Sequence, residues 1–138
     1  MKKNIIATIA VLLFCLTLSS FYRAPSQSDK LKESMARGSD IYATTCSACH
    51  MQTGEGISGV FPPLAKSDYL MADITRSIRQ IIYGADGEMV VNGVTYNGQM
   101  AALDLSDEQV SDVLNYVRNS WGNKGEIVTP ADVKAARK

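Results

Sequence analysis

Two cysteines and a histidine stand within five consecutive residues of this 138-residue chain, in the segment Cys46-Ser47-Ala48-Cys49-His50. At this spacing both thiols can add across the two vinyl groups of one haem, while the imidazole reaches the iron from the same side. The motif therefore predicts one covalently attached c-type haem per chain. Cys46 and Cys49 would be its attachment points, and His50 would be an iron ligand.

Three other chemistries use closely spaced thiols. A structural zinc site needs four nitrogen or sulfur ligands, and after the amino-terminal segment the chain offers only Cys46, Cys49 and His50. A thioredoxin-type redox pair needs a β-α-β setting, whereas helical patterns flank this motif. A disulfide between residues three apart closes a very small loop and stabilises little. The sequence favours haem, which uses all three side chains, and leaves these alternatives open.

The sixth iron ligand cannot be a second histidine, because His50 is the only histidine in the chain. Methionine is the neutral ligand that raises the potential of a c-type haem. Met51 adjoins His50 and cannot cross to the other face, Met71 falls in or near a short helix, and Met89 opens a strand. We predict Met100 as the ligand, because it stands in a flexible, glycine-containing loop that can fold over the opposite face of the haem.

Hydrophobic periodicity and capping residues predict the elements around the motif. These elements are an amphipathic helix over 29–45, a glycine- and proline-rich loop over 51–66, a helix over 73–83, a hairpin over 89–96, a helix over 106–121, and a short helix from 129 to the carboxyl end. Gly38 lies inside the first helix, where glycine costs about 1 kcal/mol relative to alanine. We therefore expect another backbone or ring to approach Gly38 closely.

The amino terminus has the pattern of an export segment. Residues 1–4 include two lysines, and the apolar run over 5–22 is close to the roughly 20 residues that a spanning helix needs. Residues 1–24 are thus expected to be a cleaved signal peptide or a retained membrane anchor, and a lipid on Cys15 is a further alternative. Residues 25–138 are expected to form one exported domain, in the periplasm or on the outer face of the cytoplasmic membrane.

The composition is that of an ordinary globular domain, with 46% hydrophobic and 20% charged residues. Fourteen Lys and Arg residues offset fourteen Asp and Glu residues. There is no basic excess to favour nucleic acid, so nucleic-acid binding is not expected.

The sequence resembles the class I monohaem cytochromes c from about residue 37 to the carboxyl end. It is most similar to small bacterial cytochromes and to the cytochrome modules of copper nitrite reductases and membrane-bound dehydrogenases. The motifs that carry the resemblance are Tyr-x-Gly-x-Met, at 96–100, and Asn-Tyr-Val-Arg-Asn-Ser-Trp-Gly-Asn, at 115–123. The resemblance implies an all-α class I cytochrome c fold, with three to five helices around the haem and a small hairpin excursion.

The resemblance also implies roles for individual residues. Gly38 and Tyr42 of the first helix would pack against Tyr116 of the last long helix. The carbonyl group of Pro62 would accept a hydrogen bond from His50 and fix its ring. This chain has Ala101 where such proteins usually have proline after the ligand methionine, which predicts a looser ligand loop and a weaker bond from iron to Met100.

The function that these features imply is one-electron transfer, without enzymatic activity, because His50 and Met100 would fill both axial positions. The expected partners are redox proteins, such as a reductase, a dehydrogenase or a terminal oxidase. The chain would be a monomer or a subunit of a redox complex. The alternative is a haem-based ligand-binding or sensor protein with an open or weakly held sixth site.

Overall fold

The computed structural model describes residues 26–137. The predicted signal peptide or anchor over 1–24 lies outside these residues. The described part is mostly helical, with a single two-stranded antiparallel sheet. Its elements are α1 (Gln27–Ile41), a π-helical turn (Tyr42–Cys46), α2 (Ser47–His50), α3 (Asp68–Ala72), α4 (Ile74–Tyr83), β1 (Glu88–Val91), β2 (Val94–Asn97), α5 (Asp107–Val117) and α6 (Pro130–Ala136). This is the architecture that the resemblance implies, and the expected fold class is confirmed.

Side-chain caps set the helix starts. Ser26 and Ser106 each form a capping box with the residue three positions later, and Asp73 caps the first turn of α4. The end of α5 differs from the prediction, because the helix stops at Val117 and not at Trp121. Trp121 takes a left-handed backbone conformation, with φ of 53°, and so leaves the helical path.

The apolar core lies mainly between α4, α5 and α6, and α1 crosses α5 beside it. Gly38 of α1 lies against the backbone of Asp112 in α5, as the glycine at this position predicted. The rings of Tyr42, Tyr116 and Trp121 pack together next to this crossing, with centroid distances between 5.0 and 5.5 Å. The expected packing of Gly38 and Tyr42 against Tyr116 is therefore confirmed.

A buried polar network holds the same crossing together. Arg37 donates to both carboxylate oxygens of Asp112, at 2.6 and 2.8 Å, and Ser34 donates to one of them at 2.6 Å. Asn115 donates to Ser34 and exchanges two hydrogen bonds with the backbone of Val128. The network ties α1, α5 and the carboxyl-terminal segment to one another, and the sequence analysis did not foresee it.

No helix within residues 26–137 has both the length and the apolar character required to cross a bilayer.

Candidate haem site

The path from α1 through the π-helical turn into α2 brings Cys46, Cys49 and His50 to the wall of one cavity. Within residues 26–137 the two cysteines are not joined by a disulfide. Burial, and to a smaller extent the neighbouring Cys49, raises the pKa of the Cys46 thiol to about 11. Cys46 therefore differs from the activated, low-pKa thiolates of redox pairs. The two thiols and the imidazole on one wall suit thioether attachment to a haem.

The loop after α2 orients His50. Nδ1 of His50 lies 3.0 Å from the carbonyl oxygen of Pro62, so the Nδ1–H tautomer donates to this oxygen. Burial lowers the pKa of His50, and the hydrogen bond to Pro62 opposes part of that shift. A neutral imidazole that donates from Nδ1 presents an unprotonated Nε2, which is the atom that an iron ligand needs.

Two glycines allow this loop to fold back on His50. A Cβ on Gly56 would lie 2.3 Å from the carbonyl oxygen of Phe61 and 2.8 Å from that of Pro62. The Gly56 N–H donates to the carbonyl oxygen of His50 at 3.1 Å. Gly54 adopts φ of 69° beneath the ring of Trp121. A larger side chain at Gly56 would push the Pro62 carbonyl group away from the imidazole.

The cavity has a volume of about 410 Å³. Much of its wall is apolar, and α3, α4, α5, β1 and the two long loops contribute to it. The apolar lining includes Val60, Phe61, Pro63, Leu64, Leu70, Ile81, Val91, Leu103, Val113, Leu114 and Val117. Such a wall excludes water from a flat, largely apolar cofactor. The lining, the two thiols and the imidazole together fit a covalently bound haem.

Met100 lines the cavity and is held by a continuation of the hairpin. The Met100 N–H donates to the carbonyl oxygen of Ala85 at 2.8 Å, and the Ala85 N–H donates to that of Met100 at 3.0 Å. The pairing of Ala85 with Met100 continues the antiparallel register in which Met89 of β1 pairs with Tyr96 of β2. Alternate residues of a ladder share one face, and those of this face line the cavity: Ala85, Met89, Val91, Tyr96, Gly98 and Met100. The expectation of a flexible loop at Met100 is therefore wrong, and the hairpin is part of the cavity wall.

The four methionines after the motif occupy different places. Met51 lies outside the cavity lining, and its carbonyl oxygen accepts a hydrogen bond from Tyr42 at 2.6 Å. Met71 lines a separate cavity of about 620 Å³ next to α4 and α6. Met89 and Met100 both line the cavity with the cysteines. Met100 is four residues beyond the ladder partner of Met89, about 13 Å at ~3.3 Å per residue, so the two side chains start from well-separated points of the cavity wall.

Two polar residues of the cavity wall were not predicted from the sequence. Tyr69 of α3 and Gln80 of α4 both line the cavity, and Nε2 of Gln80 donates to the hydroxyl group of Tyr69 at 3.2 Å. No local pattern marks either residue, because their meeting depends on how α3 packs against α4.

Comparison with known proteins agrees with this site. The Cytochrome c family model matches residues 35–121. Cytochrome c-552 of Thermus thermophilus is 39% identical over 97 residues, which cover 67% of this chain and 73% of that protein. The cytochrome c subunit of a quinone alcohol dehydrogenase from Gluconacetobacter polyoxogenes is 34% identical over 105 residues, 72% of this chain and 22% of that subunit. The gluconate 2-dehydrogenase cytochrome c subunit of Pantoea cypripedii is 31% identical over 123 residues, 82% of this chain and 28% of that subunit.

The motif, the cavity and these relatives lead to one conclusion. The chain belongs to the cytochrome c family, with a covalent c-type haem as its cofactor and with haem-based electron transfer, not enzymatic catalysis, as its biochemical role.

Proposed function

We propose that this chain carries single electrons between redox proteins and that His50 and Met100 are the two axial ligands of its haem. The observation that carries the proposal is that Cys46, Cys49, His50 and Met100 all line one cavity. His50 lies beside the Pro62 carbonyl group, which supports its role as the oriented ligand on the cysteine side.

The haem supplies an iron that accepts and returns one electron. The chain would hold both ligand side chains in place. His50 is hydrogen-bonded to Pro62, and the backbone of Met100 is hydrogen-bonded to Ala85 through both its N–H and its carbonyl group. Ligands held in this way would need to move little when a bound iron changes its oxidation state. A filled sixth position also leaves no site for a substrate.

The alternative function is a sensor or ligand-binding protein with an open or weakly held sixth site. Its support in the sequence is Ala101, which follows Met100 where proline is usual. The two hydrogen bonds between Ala85 and Met100 favour a held ligand instead, because they anchor the loop without a proline.

We propose that partners dock transiently at the mouth of the cavity. Val60 lines the cavity and is 53% exposed, and Ile57 nearby is 43% exposed. A small apolar patch of this kind is typical of short-lived redox encounters. The named relatives include cytochrome subunits of dehydrogenases, so a dehydrogenase is a candidate donor, and a reductase or terminal oxidase is a candidate acceptor.

We also propose that the chain works outside the cytoplasm, in the periplasm or on the outer face of the cytoplasmic membrane. The support is the cationic start and apolar run within residues 1–24, as a signal peptide or an anchor. Expression of the full chain with and without these residues, followed by fractionation and measurement of the mature mass, tests this proposal. A haem-loaded product that stays in the cytoplasm would contradict it.

The axial ligand is tested by absorption spectra of the haem-loaded protein, oxidised and reduced, with and without carbon monoxide. The Met100→Ala variant is compared with Met89→Ala, which removes the other thioether of the same cavity. We expect the wild type and Met89→Ala to show the weak far-red band of a sulfur-to-iron bond and to resist carbon monoxide. Met100→Ala should lose the band and bind carbon monoxide.

Two results would overturn the ligand assignment. Loss of the band in Met89→Ala but not in Met100→Ala would make Met89 the ligand. A wild type that is already high-spin and binds carbon monoxide would favour the sensor.

A further inference from the structure

The cavity wall formed by α3 and α4 carries polar groups with donor hydrogens that have no acceptor within residues 26–137. The Tyr69 hydroxyl group accepts a hydrogen bond from Gln80 at 3.2 Å, but its own proton has no acceptor within residues 26–137. One amide N–H of Gln80 donates this bond, and the second amide N–H has no acceptor within the described residues. Groups of this kind in a protected wall are normally paired, so the wall is suited to an acceptor that comes with the cofactor.

Two arginines donate hydrogen bonds to the backbone of α3. Nη2 of Arg76 donates to the carbonyl oxygen of Tyr69, and the Arg76 guanidinium carbon lies 3.6 Å from the centroid of the Tyr69 ring. Nη1 of Arg118 donates to the carbonyl oxygen of Leu70 at 2.8 Å. Both guanidinium groups therefore bind consecutive carbonyl groups of α3, whose side chains line the cavity.

These two positive charges have no carboxylate partner among residues 26–137. The ion pairs of this region join Arg37 to Asp112 and Arg137 to Asp107. Arg118 is only 9% exposed, burial lowers its pKa, and Nε of both Arg76 and Arg118 is buried without a hydrogen-bond partner.

Among the described residues, acidic side chains near the two arginines form no ion pair with either of them. Asp68 accepts hydrogen bonds from the backbone N–H groups of Tyr69 and Asn92, and Asp73 caps α4. Both carboxylates are exposed. Neither guanidinium group lines the cavity with the cysteines, so both act from the opposite side of α3. A buried cation is unfavourable unless it is paired, and an anion across α3 would therefore be stabilised.

We propose that the α3–α4 wall binds a propionate group of the haem. Tyr69 and Gln80 donate hydrogen bonds to the carboxylate, and Arg76 and Arg118 compensate its charge through α3. Haem is a dicarboxylate whose propionates lie at the edge opposite its vinyl groups, and Cys46 and Cys49 hold the vinyl edge. This inference rests on the haem site of the proposed function and assigns Tyr69 and Gln80 as positioning residues.

The test uses haem labelled with carbon-13 in its propionate carboxyl groups, in the wild type and in Tyr69→Phe. This substitution removes the hydroxyl group and keeps the ring under Arg76. The control is Tyr83→Phe, because the Tyr83 hydroxyl group donates to the carbonyl oxygen of Arg137 and Tyr83 lies outside the cavity lining. We expect Tyr69→Phe, and not Tyr83→Phe, to shift the infrared carboxylate band. The reduction potential should fall, since a propionate that has lost a donor stabilises ferric iron more strongly.

A second pair of variants tests the charge. Arg76→Gln should lower the reduction potential more than Arg79→Gln, whose side chain reaches the carbonyl group of Ala136 on another helix. An unchanged labelled band in Tyr69→Phe would overturn the proposal. A changed far-red band with an unchanged carboxylate band would place the Tyr69 hydroxyl group at Met100 instead. The infrared signal does not depend on the sixth ligand, so failure of the proposed ligation would be recognised separately.

Discussion

A Cβ atom built on Gly38 would lie 2.0 Å from the carbonyl oxygen of Asp112. The backbones of α1 and α5 are therefore in direct contact at their crossing. The ion pair between Arg37 of α1 and the carboxylate of Asp112 in α5, at 2.6 Å, also joins the two helices at this crossing. Because α2 and the cysteines follow α1 along the chain, this crossing sets where the haem is attached relative to the wall that α5 provides.

Gly38→Ala should destabilise the protein by about 1–3 kcal/mol, because the added methyl group forces the two backbones apart. Helix propensity alone predicts the opposite sign, a gain of about 1 kcal/mol. Denaturant unfolding of the haem-loaded protein measures the difference. Asp40→Ala, at an exposed position of the same helix, is the control and should change stability little. A stabilised Gly38→Ala variant would mean that the helices do not touch at this point.

Ala101→Pro and Ala85→Pro should have opposite outcomes for the Met100 loop. The Ala101 N–H makes no backbone hydrogen bond within residues 26–137, whereas the Ala85 N–H donates to Met100. Proline removes a donor, so only Ala85→Pro breaks the pair that anchors Met100. We expect the far-red band and resistance to carbon monoxide to persist in Ala101→Pro and to weaken in Ala85→Pro. If only Ala101→Pro altered the band, the loop would be anchored at its other end.

Tyr42 should make the protein sensitive to alkali. It is 2% exposed, and burial is the main cause that raises its pKa well above the ordinary value of 10.0. Above about pH 10 the unfolded chain loses this proton while the folded chain keeps it. The stabilisation is therefore complete below that pH and decreases as the pH rises. Unfolding measured from pH 8 to pH 11 should show a shallower decline for Tyr42→Phe than for the wild type. Equal slopes would mean that Tyr42 ionises normally in the folded state.

The sequence determined the features that depend on neighbours within a few residues. The spacing of Cys46, Cys49 and His50 is local, and so are the cap at Ser106 and the tight turn at Asn92 and Gly93. Gly38 was informative for a related reason, since a glycine inside a helix is costly and therefore marks a close contact. These features could be predicted because their hydrogen bonds and their chemistry lie within one or two turns of the chain.

The tertiary structure decided several features that depend on residues distant in the chain. The pairing of Met100 with Ala85, and not the flexibility of its loop, sets the position of the Met100 backbone at the cavity wall. The end of α5 at Val117 follows from Trp121, which turns out of the helix to pack on Tyr42. Non-local packing of this kind gains its energy from burial and hydrogen bonds that form only when the chain is folded, so no local pattern records it.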